Sequence, residues 1–164
     1  MNLRSYRQKL LKDKSRLRRI LTKIEKAPPR GLDRMAVEAD KQVWEKMDCL
    51  TCGNCCRQMT PTFTPKDVKR ISAHLSMTPK AFRDKWLHKD KEGDWMNVKR
   101  PCQFLNTKDN KCSIYPVRPA DCAGFPHFTK KKMVEYIHVH KQNVEYCPAA
   151  AMFVEKLDEI IKAQ

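Results

Sequence analysis

The chain is short of glycine, of acidic residues and of long apolar runs. Only four glycines occur in 164 residues, and no Gly-rich phosphate-cradling loop, nucleophile elbow or paired-carboxylate motif is present. That removes the usual sequence grounds for a nucleotide-dependent or hydrolytic enzyme. No apolar run is long enough to span a bilayer. The opening stretch MNLRSYRQKLLKDKSRLRR places basic residues where a secretory signal needs an apolar core. The expected compartment is therefore the reducing cytoplasm, where structural disulfides are disfavoured. Nineteen acids face thirty-four Lys and Arg, for a net charge of +15. The excess is uneven: residues 1–30 hold eleven basic and two acidic residues, or +9, which leaves +6 on the rest. Low-complexity segments are also missing. The 41% of hydrophobic residues argues for a folded chain, and one of this length can bury roughly two-thirds of its unfolded surface without covalent staples.

Cysteine is what the chain has in quantity. Four of its eight fall within the stretch DCLTCGNCCRQM, as Cys49, Cys52, Cys55 and Cys56; the others are Cys102, Cys112, Cys122 and Cys147. In a reducing compartment such a set points to metal ligands or redox groups rather than a disulfide frame. Thiolates are soft anionic donors suited to zinc and iron, and a C-x-x-C turn brings two sulfurs to one ion at little conformational cost. Cys49, Cys52 and Cys55 have ferredoxin-like spacing, and Cys147 precedes Pro148 as the fourth cluster ligand of bacterial ferredoxins precedes proline. Both features favour an iron–sulfur cluster. CLTCG also looks like a zinc knuckle, which Cys102 and Cys112 would complete as a four-sulfur zinc site. Eight sulfurs serve two mononuclear sites or one multinuclear site, and spacing leaves that choice open.

Residues 2–26 read as one helix, with Leu3, Leu10, Leu17 and Ile24 seven apart and Tyr6 and Ile20 between them. Pro28, Pro29 and Gly31 stop it. Asp33 is the expected cap of a second helix running to about Met47, and the cysteine cluster is expected in a loop. Thr64-Pro65-Lys66-Asp67 is a helix start, and Thr78-Pro79 is another. CQFL and CSIY, flanking NTKDNK, suggest a small hairpin. MVEYIHVH alternates like a strand, which would set His138 and His140 on one face. Pro148 opens a C-terminal helix. The expected fold is α+β, mainly helical with a few short strands: a basic amphipathic helix over 1–30 and a cysteine-cluster metal-binding domain over 31–164.

Other residues have a chemical and a plainer reading. His127, His138 and His140 are candidate ligands or solvated side chains. His74 and His88 are expected at the surface. Asp121 either orients a ligand or closes a turn. Arg118 is expected to hold its loop through backbone carbonyls. The apolar stripe of the basic helix is expected to pack on the body or on a second copy; its charges also suit nucleic acid.

The motifs CLTCGNCC and PCQFLNTKDNKCSIYPVRPADCAGFP together resemble the CxxCxxCC cysteine-cluster family, also called YkgJ-like, a zinc- or iron-chelating domain. The matching features are the four clustered cysteines, Cys102 with Phe104-Leu105, Cys112 to Tyr115, Arg118-Pro119, Cys122, Phe125-Pro126 and the Thr64–Asp67 helix start. The likeness covers about residues 45–150 and leaves out the basic helix. Members often carry arginine after the cysteine matching Cys122, whereas Ala123 stands here. The resemblance implies a small metal-binding protein. The function expected is coordination of iron, as a cluster, or zinc, for a redox or metal-handling role. The alternatives are a structural zinc module that presents the basic helix to nucleic acid or a protein, and a metal-dependent oxidoreductase.

Overall fold

The computed structural model describes the backbone of residues 3–164 and side chains from Lys12 onward. It is mainly helical with one small antiparallel sheet, the α+β class expected from the sequence. The elements in chain order are α1 (Leu3–Lys26), α2 (Leu32–Trp44), α3 (Cys49–Cys52), α4 (Asn54–Gln58), β1 (Thr62–Phe63), α5 (Pro65–His74), α6 (Pro79–Trp86), β2 (Leu87–Lys89), β3 (Trp95–Asn97), a 3₁₀ turn (Tyr115–Val117), α7 (Ala120–Gly124), α8 (Met133–Asn143) and α9 (Pro148–Lys162). No described helix is long and apolar enough to cross a membrane. The chain forms two compact units, Met1–Cys49 with Pro126–Gln164, and Leu50–Phe125.

The first unit is a helical bundle in which α1 packs on α8 and α9, and α2 on α9. Leu17, Leu21 and Ile24 of α1 are buried, so this part of the apolar stripe packs on the body, as expected. Leu3, Tyr6 and Leu10 lie outside the described side chains. Small residues, Ala36 and Ala39 on α2 and Ala149, Ala150 and Ala151 on α9, are all buried and let those helices approach closely. Basic residues of α1 meet acids of the same unit: Lys14 and Arg18 reach Glu145, and Arg16 reaches Glu155. Such exposed pairs contribute little each.

Two expectations are corrected here. MVEYIHVH is not a strand but part of α8. Its buried residues, Met133, Ile137, His140 and Asn143, follow helical spacing, while Val134, on the alternating row, is 42% exposed. His138 and His140 therefore project to different sides: His138 is exposed and His140 buried. Asp33 does not cap α2, whose N-cap is Gly31. Its carboxylate instead accepts from the Met133 backbone N–H at 2.8 Å, satisfying one of the free donors at the start of α8.

In the second unit, Thr64 caps α5 in a full capping box with Asp67, and Thr78 caps α6. The sheet has the order β1–β3–β2 with antiparallel pairs. Phe63, Val68, Ile71, Phe82, Leu87, Phe104 and Ile114 form its core, with the Phe82 and Phe104 rings stacked at 6.2 Å. The hairpin expected from CQFL and CSIY is reduced to one bridge, Leu105 with Cys112. Bonds from Asn106 N–H to Lys111 and from Ser113 N–H to Phe104, each 2.8 Å, flank it. The apolar side chains of those stretches serve the core rather than a longer ladder.

Candidate metal centre

The cysteine cluster is helical rather than the expected loop. Cys49 and Cys52 lie on α3, Cys55 and Cys56 on α4, and Gly53 joins the two helices in the left-handed region, at φ 55°. A Cβ at Gly53 would stand 3.1 Å from the Asn110 Cβ. Asn110 belongs to a clamp: Arg57 donates to its Oδ1 at 2.5 Å and to the Thr107 carbonyl at 3.0 Å. The clamp ties the turn before Cys112 to α4. Gly53→Ala is expected to cost about 1–3 kcal/mol through backbone strain and this contact. Urea unfolding would measure it, and an unchanged midpoint would mean that the turn gives way freely.

Four cysteines, Cys56, Cys102, Cys112 and Cys122, lie on separate segments of the second unit. The Cys102 N–H donates to the Cys56 carbonyl at 2.8 Å. Cys112 closes the small bridge with Leu105. Cys122 rides on α7, whose start is held by Asp67 Oδ1 accepting from the Ala120 N–H at 3.1 Å. Asp121 accepts from the Thr62 N–H at 3.2 Å, tying α7 to β1. Arg118 donates to the Tyr115 carbonyl at 2.9 Å and covers its ring at 4.0 Å, the loop-holding role expected of it.

The Cys55 and Cys56 sulfurs are 3.9 Å apart. The Cys56 thiol is drawn down to about 7, mainly by its hydrogen bond with Cys55 and further by Arg57, against the opposing effect of burial. Burial pushes the Cys102, Cys112 and Cys122 thiols up, and charge on Cys56 pushes each further. Cys102 acts likewise on Cys112 and Cys122. Such thiols resist ionising together unless a cation offsets their charge, which is how metal binding is coupled to proton release. The donor set is soft and fits zinc or iron. Among the described residues, no three His, Cys, Asp or Glu side chains are spaced to hold an ion as they stand.

The other predicted positions are distributed between the units. Cys52 is buried on α3. Cys49, which is exposed, and Cys147, which is buried, belong to the first unit, where Cys147 is the N-cap of α9. His127 is half-buried with φ 64°, and His74 and His88 are exposed, as expected. Reading the sequence missed Asn97, which is buried and accepts from Gln103 Nε2 at 2.9 Å. An asparagine in a three-residue strand has no periodic signature, so no local pattern marks it.

Comparison with known proteins supports metal binding. A curated protein of Methanocaldococcus jannaschii, itself uncharacterized, is 33% identical over 81 residues, covering 48% of this chain and 43% of that protein. The chain thus spans less than half of that relative's length. No solved structure matches. A family model matches residues 48–148, more than half of the chain and the whole span from Cys49 to Cys147. The chain belongs to the CxxCxxCC family, described as "Putative zinc- or iron-chelating domain", and membership supports metal binding.

Proposed function

We propose that the protein is a metal-binding module whose cysteines hold iron, as an iron–sulfur cluster, or zinc, in a redox or metal-handling role. The observation that supports this reading is the family match over residues 48–148, together with the soft donors Cys56, Cys102, Cys112 and Cys122 carried on four segments of the second unit. Cys49, Cys52, Cys55 and Cys147 are proposed as further ligands. The C-x-x-C-x-x-C spacing and the Cys147-Pro148 pair favour iron. A bound cluster would supply a one-electron centre. The chain's residues supply the sulfurs, hold Cys122 through Asp67 and α7, and hold the Cys112 turn through Arg57.

Anaerobic purification with iron, zinc and sulfide analysis tests this. The expected product is brown, carries iron and acid-labile sulfide, and loses both in Cys56→Ser and Cys112→Ser. Colourless protein with stoichiometric zinc would turn the reading to a structural zinc module. Protein without metal, or metal content unmoved by either substitution, would sink it.

A further inference from the structure

The outward side of α1 carries a row of like charge. At about 100° per residue, the buried Leu17, Leu21 and Ile24 mark the side of the helix that packs on the body. Lys12, Arg19, Lys23 and Lys26 fall within about 60° of one another on the opposite side, and all four are exposed. Neither described acid of α1 lies in that row: Asp13 pairs with Arg16, and Glu25 with Lys141. Acids elsewhere in the unit reach α1 beside the row, where Glu145 takes Lys14 and Arg18, and Glu155 takes Arg16. Among the described residues, none of the four cations in the row meets a carboxylate. Arg19 and Lys23 stand four apart, and Lys23 and Lys26 three apart, spacings at which like charges disfavour a helix. The row therefore weakens α1, and its own unit supplies no opposing charge.

We propose that Lys12, Arg19, Lys23 and Lys26 form a docking surface for the phosphate backbone of a nucleic-acid duplex, bound without recognition of its bases. Length, burial and composition select that partner. The row runs about 21 Å along the helix, and a duplex presents one negative charge per about 1.7 Å of its axis, so every cation of the row finds phosphate. The apolar side of α1 is already buried on the body, which leaves no apolar face to sink into a membrane, as an interfacial helix requires. No aromatic residue stands in the row to stack the bases of a single strand. Upstream of Lys12 the sequence adds Arg4, Arg7 and Lys9 and no acid. The whole of α1 lies outside residues 48–148 of the family match, so the inference is independent of metal binding.

Fluorescence anisotropy of the full chain with a labelled duplex, read from about 50 to about 200 mM salt, tests it. Phosphate contacts from the four cations predict a slope of log K against log salt of about −3.6 or steeper, a loss of about 100-fold across that range. Arg19→Gln and Lys23→Gln are each expected to flatten the slope by about 1 and to weaken binding about tenfold at the lower salt. Both are expected to hold or raise the urea midpoint, because each relieves like-charge repulsion. Lys14→Gln removes the same charge from the same helix outside the row and is expected to leave the slope at the parent value. Duplexes of unrelated sequence are expected to bind alike. No binding at the lower salt, a slope unmoved by both substitutions in the row, or an equal response to Lys14→Gln would overturn the surface. Tighter binding to a single strand of the same length, or binding only to vesicles containing phosphatidylserine, would overturn the duplex as its partner.

Discussion

Asp67→Ala is expected to destabilise the second unit by about 3–5 kcal/mol, the range for removing one partner of a buried, hydrogen-bonded charge. The carboxylate is 1% exposed and meets donors from two parts of the chain. Oδ2 accepts from the Thr64 N–H at 3.0 Å and the Thr64 hydroxyl at 2.6 Å. Oδ1 accepts from Arg70 at 2.7 Å and from the Ala120 N–H at 3.1 Å. Alanine would strand these donors and lose half of the capping box as well. Burial alone would raise the carboxyl, but the bonds from Thr64, Ala120 and Arg70 outweigh it and hold the group below the usual carboxylate range. The charged form therefore stabilises the fold at neutral pH, and that contribution is lost as pH falls through the lowered value. Arg70→Met, at a side chain 43% exposed, is expected to cost only about 1 kcal/mol or less. Urea unfolding followed by Trp86 and Trp95 fluorescence separates the two. Equal costs would mean that Asp67 acts only through the surface ion pair.

Acid is expected to weaken the first unit through His140. This imidazole is 1% exposed, neither ring nitrogen has a hydrogen-bond partner, and it is surrounded by Phe128, Tyr136 and Phe153 at ring distances of 6.1, 6.1 and 5.7 Å. Burial first, and then charge on His127 and His138, lower its pKa from 6.5 to about 4. Above the unfolded value both states are neutral and no penalty arises. Between about 6.5 and 4 the unfolded chain takes a proton that the folded chain refuses, so stability falls with falling pH, by about 3 kcal/mol over the window. Below about 4 the penalty is constant. His140→Leu is expected to flatten that slope and, by removing an unsatisfied buried polar group, to match or exceed the parent's stability at neutral pH. Unfolding at pH 7 and pH 4.5, read from Trp44 in a chain carrying Trp86→Phe and Trp95→Phe, checks both. An unchanged slope in His140→Leu would assign the acid sensitivity to other groups.

Several features were legible without coordinates because their causes are local. The seven-residue spacing of Leu17 and Ile24 marks the buried side of α1. Thr64-Pro65-Lys66-Asp67 spells out a cap, a first-turn proline and a reciprocal carboxylate, all within one helical turn. Cys147-Pro148 announces α9, and the density of cysteine announces metal chemistry in a chain short of glycine and without nucleotide loops. The cysteine motifs together identified the family.

What the sequence left undetermined depends on which surfaces meet. MVEYIHVH satisfies period two and helical period equally well over eight residues, and only the partners of Met133, Ile137 and His140 decide that it is a helix. Asp33 has the composition of an N-cap, yet its carboxylate serves a helix start a hundred residues away, because a backbone donor there needs it. Asp67 is visible as a capping residue but not as the anchor of Ala120. Asn97 accepts from Gln103 only because β3 and the following turn fold against the same aromatic core. Capping, periodicity and ligand chemistry are encoded in adjacent residues. Burial and the pairing of distant donors and acceptors, such as Cys102 N–H with the Cys56 carbonyl, are set by packing, which alone brings residues far apart in the chain within reach of one another.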